Sequence, residues 1–235
     1  MVLHPFLSFY GGKYRASKFY PAPRYDTIIE PFAGSAGYSV RNHTKKVILV
    51  DKDPIIAGIW QYLLSVSTEE MTSLPDIQAW QSIDELPIPQ EAKWLIGFWV
   101  NAAASKPCKV PSAWMRSGKR PNCFWGPAIR SRIANQLIYI RHWSIICGDY
   151  RDAPDIEATW FVDPPYENMG KHYRCNDIDY VELAEWCRAR RGQVMVCEND
   201  GATWLPFTPF IDCLAAPNKN GAKKSKGVLW MQERR

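Results

Sequence analysis

An α/β fold is predicted by the way the short apolar runs of this chain end. Thr27-Ile28-Ile29-Glu30 feeds a turn of small residues, Pro31-Phe32-Ala33-Gly34-Ser35-Ala36-Gly37. Lys46-Val47-Ile48-Leu49-Val50-Asp51 is a second buried run that closes on an acid, and Thr159-Trp160-Phe161-Val162 closes on Asp163-Pro164-Pro165-Tyr166. A strand, a glycine-containing turn, a short helix and a strand ending on Asp make a βαβ unit. The 235 residues, 46% hydrophobic and 23% charged, can bury a sizeable core, which excludes disordered, collagen-like and disulfide-scaffold classes.

Taken in order, the elements are about seven strands and a helical insert. The first two strands, 27–30 and 46–51, are joined by the turn at 31–37 and a short helix. From Pro54 to Trp143 the periodicity turns mostly helical, with breaks at Pro75, Pro87-Ile88-Pro89, Lys106-Pro107 and Arg120-Pro121. One helix is expected over 91–104. Another is expected over 127–142, where Ile129, Ile133, Leu137 and Ile140 recur near the 3.6-residue period. Between them, 105–126 reads as a long exposed loop rich in Lys, Arg, Pro and Ser. About ninety residues exceed a simple crossover, so 56–142 is expected to form an inserted, mostly helical subdomain, with 1–55 and 143–235 forming the sheet domain. Strands resume at 144–149 and 159–162. A helix at 178–190 leads into a strand at 193–197, and shorter strands follow at 210–213 and 228–231, the last preceded by a basic loop over 219–226.

Seven Cys are scattered (Cys108, Cys123, Cys147, Cys175, Cys187, Cys197, Cys213) without any C-x-x-C pair, and the four His show no ligand spacing. Reduced thiols in a cytosol, and no metal site, are the expectation. No stretch approaches the roughly 18 apolar residues of a membrane helix, and the opening run is too short for a secretory signal. Net charge is +5, but its distribution is uneven. Residues 101–141 carry Lys106, Lys109, Arg116, Lys119, Arg120, Arg130, Arg132 and Arg141 with no acid. Residues 54–92 carry Glu69, Glu70, Asp76, Asp84, Glu85 and Glu91 with no Lys or Arg. This asymmetry suggests that one face meets a polyanion, against the plainer reading of a solvated basic surface. Five of the 11 Trp (Trp94, Trp99, Trp114, Trp125, Trp143) lie in or beside the basic stretch. Most are expected in the core, with one or two free to stack on bases or sugars.

Two segments point to chemistry. Gly34 and Gly37, following a buried strand, let backbone approach a ligand closely, and Asp51 stands where nucleotide folds place a ribose-binding acid. The full G-x-G-x-x-G fingerprint is absent, which disfavours a nicotinamide dehydrogenase and leaves a nucleoside ligand and ordinary βαβ turn chemistry both open. Asp163-Pro164-Pro165-Tyr166 is more specific; at average residue frequencies it arises by chance in about one chain in a thousand of this length. It offers a carboxylate, a carbonyl held outward by two rigid prolines and an aromatic face. Together these suit a planar amino group attached to a ring.

With these motifs in hand, the sequence resembles the S-adenosylmethionine (SAM)-dependent DNA amino-methyltransferases, most closely the Dam-like adenine-N6 branch of the alpha group. The resemblance rests on Phe9-Tyr10-Gly11-Gly12-Lys13, Glu30-Pro31-Phe32-Ala33-Gly34-Ser35-Ala36-Gly37, Asp51, Asp149-Tyr150, Asp163-Pro164-Pro165-Tyr166 and the late Asn220-Gly221-Ala222-Lys223-Lys224, in the family's order. It covers about 7–54 and 143–231 but not the middle. The late loop continues Ser225-Lys226-Gly227-Val228, where the family often carries an acid.

The resemblance implies a Rossmann-like methyltransferase sheet with helices on both faces and a target-recognition insert. It further implies that 32–37 wraps the methionine part of SAM, Asp51 holds the ribose, and Asp149 with the Tyr150 amide meets the cofactor's adenine. Phe9 and Lys13 would flank SAM and the target, with Tyr10, Glu30, Pro31 and Lys52 completing the cofactor site. Asp163, Pro164, Pro165 and Tyr166 would hold the flipped base, its amino group bonded to Asp163 and Pro164 and its ring on Tyr166. Double-stranded DNA would be gripped by Lys106, Lys109, Arg116, Lys119, Arg120, Arg130, Lys171, Arg174, Lys223 and Lys224, with His172 nearby. A cognate nuclease is an optional partner, and the size also fits an orphan or phage-borne enzyme. Cytosine-N4 transfer, RNA or protein-amide transfer, and a binding protein without catalysis are the alternatives; the leading Asp and the basic insert favour DNA adenine.

Overall fold

The computed structural model describes residues 2–167, 173–214 and 224–234. Seven strands form one sheet: β1 (Thr27–Glu30), β2 (Lys46–Asp51), β3 (Ser144–Cys147), β4 (Ala158–Val162), β5 (Gly192–Asn199), β6 (Thr208–Leu214) and β7 (Lys224–Arg234). Their order is β3-β2-β1-β4-β5-β7-β6. Strands β1 to β5 run parallel, and β7 lies antiparallel between β5 and β6. The expected α/β architecture with about seven strands is therefore the architecture observed.

Alternation along each strand builds two cores. Ile28, Val47, Leu49, Phe161, Met195 and Cys197 point to one face, and Ile29, Ile48, Val50, Trp160, Val162 and Val194 point to the other. The second face is covered by α7 (Tyr180–Ala189) through Leu183, Ala184 and Cys187. The first face is covered by α1 (Gly37–Arg41), α2 (Pro54–Ser65) and the rest of the helical stretch: α3 (Thr68–Ser73), α4 (Gln90–Trp99), α5 (Ala113–Arg116) and α6 (Pro127–Gln136). Met71, Leu95, Phe98, Ile129 and Ile133 belong to the same apolar cluster as the strand residues Ile28, Val47 and Phe161. Residues 56–142 thus share a continuous core with the sheet.

Four sequence expectations need correcting. The helix expected over 91–104 ends at Trp99, because the Ala-rich continuation is drawn away: Ala103 takes a positive φ of 48°, and Ala104 bridges to Phe9, its carbonyl accepting the Tyr10 amide at 3.0 Å. The helix expected over 127–142 stops at Gln136 and continues only as a 3-10 turn to Tyr139. There the buried Gln136 side chain pairs with the His4 backbone, accepting from its N–H at 2.6 Å and donating to its C=O at 3.2 Å. Residues 105–126 are not a wholly exposed loop. Phe124 and Trp125 are buried, the Cys108 amide donates to Gly97, and Trp125 Nε1 donates to the Pro75 carbonyl. Of the basic loop expected over 219–226, residues 224–226 belong to β7 and the rest lies outside the described residues.

Candidate functional site

The chain runs from β1 outward through β2 to β3, then returns to lay β4 on β1's other side. Loops leaving the carboxyl ends of β1 and β4 therefore diverge and open a crevice at this switch point. A pocket occupies it, about 910 Å³ with its open mouth included. Its walls are the opening motif (Phe9, Tyr10, Lys13), the turn after β1 (all of 30–37 except Ala36), Asp51 with Lys52 at the end of β2, Asp149 with Tyr150, and Asp163 with Pro165. Ala36 is buried behind the turn, Pro164 is buried, and Tyr166 is half-buried; none of the three lines the pocket.

Two motifs interlock to shape this wall. Gly37 lies so close to the opening motif that a Cβ there would stand 2.4 Å from the Tyr14 nitrogen and 2.8 Å from the Lys13 carbonyl carbon. Gly34 adopts a φ of +45°, a left-handed conformation that favours glycine, and its carbonyl accepts Trp60 Nε1 at 2.9 Å. The short helix α1 has no side-chain cap of its own. Glu30 supplies the missing acceptor, its Oε1 taking the Ser39 amide at 2.7 Å. Glu30 is 2% exposed, and burial pushes its carboxyl up to about 8 against the bonds from Ser39.

Lys13, delivered by that interlock, meets Asp163. Its Nζ lies 2.7 Å from Oδ1 and 2.8 Å from Oδ2, donates to the Gly11 carbonyl at 3.0 Å, and sits 4.8 Å above the Tyr166 ring. Burial works against the Lys13 charge, but the Asp163 carboxylate outweighs it and holds the ammonium above its ordinary range. Burial also raises the Asp163 carboxyl, opposed by Lys13 and by Tyr166. Asp163 Oδ1 is buried against the Lys13 ammonium at 2.7 Å, with no other aligned donor among the described residues.

Asp51 is fixed by two amides, Gly34 N to Oδ2 and Asp53 N to Oδ1, both at 2.9 Å. Burial raises its carboxyl to about 6 despite those bonds. Asp149 caps the 3-10 turn Tyr150–Asp152 and also faces the pocket. Burial would raise its carboxyl, but Arg151 (Nε 2.7 Å from Oδ1) and Lys52 (3.3 Å from Oδ2) outweigh it and hold the group below its ordinary value. Tyr150 stacks on Phe32 with centroids 5.6 Å apart, joining two walls.

The turn after β4 is clamped from behind. Glu198, 1% exposed at the end of β5, accepts Glu167 N and Trp204 Nε1 at 3.2 Å each and Asn199 N at 2.8 Å. Tyr180 at the start of α7 donates to the Pro165 carbonyl at 2.6 Å, and its ring lies 5.5 Å from Trp204.

Sequence reasoning missed one wall. Residues 173–178 close the pocket on the side of the opening motif: Tyr173 packs on Phe9 and Tyr10 and donates to the Tyr10 carbonyl, and Cys175 and Asp177 face inward. Arg174, expected at a DNA backbone, also lines the pocket, with Nε 3.6 Å from Asp53. No local pattern announces this segment. Asp53 does have a signal, an Asp before Pro54 that caps α2 by accepting the Ile55 amide.

The basic residues of the insert divide into two groups. Arg130, its side chain 12% exposed, bonds Asp76 at 2.7 Å and the Leu74 carbonyl, and Lys109 pairs with Asp84 at 2.6 Å. Arg132 donates to Pro5, and Arg141 to Leu63 and Val66. The acidic and basic stretches, segregated along the chain, thus partly neutralise each other in space. Lys106, Lys119 and Arg120 are exposed and Arg116 half-exposed, without a carboxylate partner among the described residues. Lys171, His172 and Lys223 lie outside the described residues, and nothing is described of the Lys224 side chain. Among the described residues no helix is long and apolar enough to cross a membrane.

No known family model matches the sequence, and no curated protein does. One solved structure, described as a conserved hypothetical protein from Streptococcus pyogenes, is similar over 92% of this chain and 89% of its own, at 10% identity and a TM-score of 0.40.

Proposed function

We propose that the protein is a SAM-dependent DNA methyltransferase that modifies N6 of an adenine turned out of the duplex. One observation carries this proposal. Lys13, the turn at 30–37, Asp51, Asp149 and Asp163, which stand in separate segments of the sequence, line a single pocket at the sheet's switch point.

The residues present fit the cofactor. Gly34 and Gly37 let the turn close on the opening motif and keep both at the pocket wall, Asp51 offers an immobilised carboxylate for ribose hydroxyls, and Asp149 offers one for an exocyclic amine. SAM, when bound, supplies the methyl group on a sulfonium. The chain's own work is to present the acceptor. An amino group conjugated with a purine ring is a weak nucleophile, and an N–H bond to the Asp163 carboxylate draws its lone pair out of the ring. Asp163 Oδ1 is the acceptor with capacity left for that bond. Lys13 neutralises the buried carboxylate. The Glu198 and Tyr180 clamp fixes the Pro164–Glu167 backbone, so that its acceptors do not reorganise during transfer.

Incubating the protein with methyl-labelled SAM and unmethylated plasmid DNA, followed by nucleoside analysis, tests the proposal. Label in N6-methyldeoxyadenosine is expected. Label in N4-methyldeoxycytidine would move the substrate to cytosine, and no label in DNA would refute the proposal.

A further inference from the structure

We infer that Trp80 and Trp114, on the outer side of the helical insert, form a stacking surface for unpaired bases of a nucleic-acid strand. They are the two Trp most exposed among the described residues, at 76% and 46%. Each carries an Arg across its ring. Arg116 lies 3.8 Å from the Trp80 centroid and is tied at its other side to the Pro111 carbonyl; Arg120 lies 4.9 Å from the Trp114 centroid. The helix that presents Trp114, α5, is anchored by Met115, which packs on the core, and by the edge-on contact of the Trp114 ring with buried Phe124, while Trp114 itself stays exposed. Of the neighbouring acids, Asp84 is matched by Lys109 and Asp76 by Arg130, while Glu85 is exposed; against it stand Arg116, Lys119 and Arg120, which have no carboxylate partner among the described residues.

A guanidinium on one face of an indole holds the ring in place and leaves its other face for a base, while the cation lies within reach of the adjoining phosphate. Base faces are buried within an intact duplex, so the surface selects unstacked nucleotides. The inference rests on the proposed function, in which extruding one base leaves its neighbours unstacked. The chain also connects this surface to the pocket: Ser105 lines the pocket, and the segment leaving it reaches Trp114 nine residues later.

The test uses fluorescein-labelled oligo-dT of sixteen residues, which contains no adenine for the pocket. The wild type is expected to bind it in a salt-dependent way. The W80A/W114A double variant is expected to bind about tenfold or more weakly, with the same salt slope and an unchanged melting temperature. R116A/R120A is expected to flatten the slope by about 0.7 for each phosphate that is no longer neutralised. Failure of the wild type to bind, equal binding by the double Trp variant, or a variant that changes self-association instead of affinity would overturn the inference. Trp-dependent binding without any methyl transfer to DNA would support the surface and refute the methyltransferase proposal, so the two fail separately.

Discussion

Replacing Gly37 by Ala tests whether the interlock of the two glycine-bearing motifs sets the site. The new Cβ would stand 2.4 Å from the Tyr14 nitrogen and 2.8 Å from the Lys13 carbonyl carbon. Ordinary van der Waals contact begins near 3.4 Å, so the 13–14 backbone has to retreat by about 1 Å. Backbone atoms cannot swing aside as a side-chain tip can, and Lys13 is joined to Asp163 at 2.7 Å across the pocket. Overpacking of this kind costs about 1–3 kcal/mol of stability. A shift of about 1 Å in a group that positions the reaction can cost roughly 100-fold in rate. Urea denaturation would read the first effect, and single-turnover methyl transfer at saturating SAM the second. A variant with wild-type stability and a rate within threefold of wild type would show that the interlock does not set the site.

Four further outcomes follow from the same geometry. Glu30 is raised from an ordinary 4.5 to about 8, so the unfolded chain gives up its proton at lower pH than the folded one; stability should fall by several kcal/mol, as an order of magnitude, as pH rises from about 4.5 to 8, and Glu30→Gln should flatten that fall in pH-dependent urea melts. Glu198→Ala leaves Glu167 N and Trp204 Nε1 without their acceptor; the turnover rate should drop at least tenfold while SAM affinity, measured by calorimetry, stays within twofold, and Glu198→Gln should recover part of the rate. Arg130→Ala should destabilise the fold by about 1–3 kcal/mol and leave the salt slope of DNA binding unchanged, whereas a slope lowered by about 1 would put Arg130 on a phosphate. Replacing Lys119 and Arg120 together by Ala should flatten that slope without lowering the melting temperature.

Much of the architecture was legible because parallel strands advertise themselves. Runs such as 46–51 are apolar at nearly every position when both faces are covered, and they end on residues that face the crevice. The pocket walls drawn from 30–37, 51–52 and 149–150 were legible for the same reason, since each is the loop beside a strand end, whereas 9–13 was legible only through the family resemblance. The wall at 173–178 was not, because its side chains reach the pocket by packing on Phe9 and Tyr10, residues distant in sequence. The helix boundary at Trp99 was misplaced because Ala102 to Ala104 favour helix locally, and a bridge to Phe9 overrides that preference. Charge segregation along the chain suggested an open basic face, yet Asp76–Arg130 and Asp84–Lys109 show that folding brings the two stretches together. Glu198 gave no warning at all, since a lone acid at a strand end acquires its role only from the amides that converge on it.

The proposed function gives Asp163 the acceptor amine and leaves the cofactor to other residues. Single-turnover methyl transfer to unmethylated DNA by wild type and Asp163→Ala, with SAM affinity measured on the same preparations, tests it most directly. Transfer by the wild type alone is expected, with SAM bound by both. Transfer by Asp163→Ala at a rate near the wild type's would contradict it.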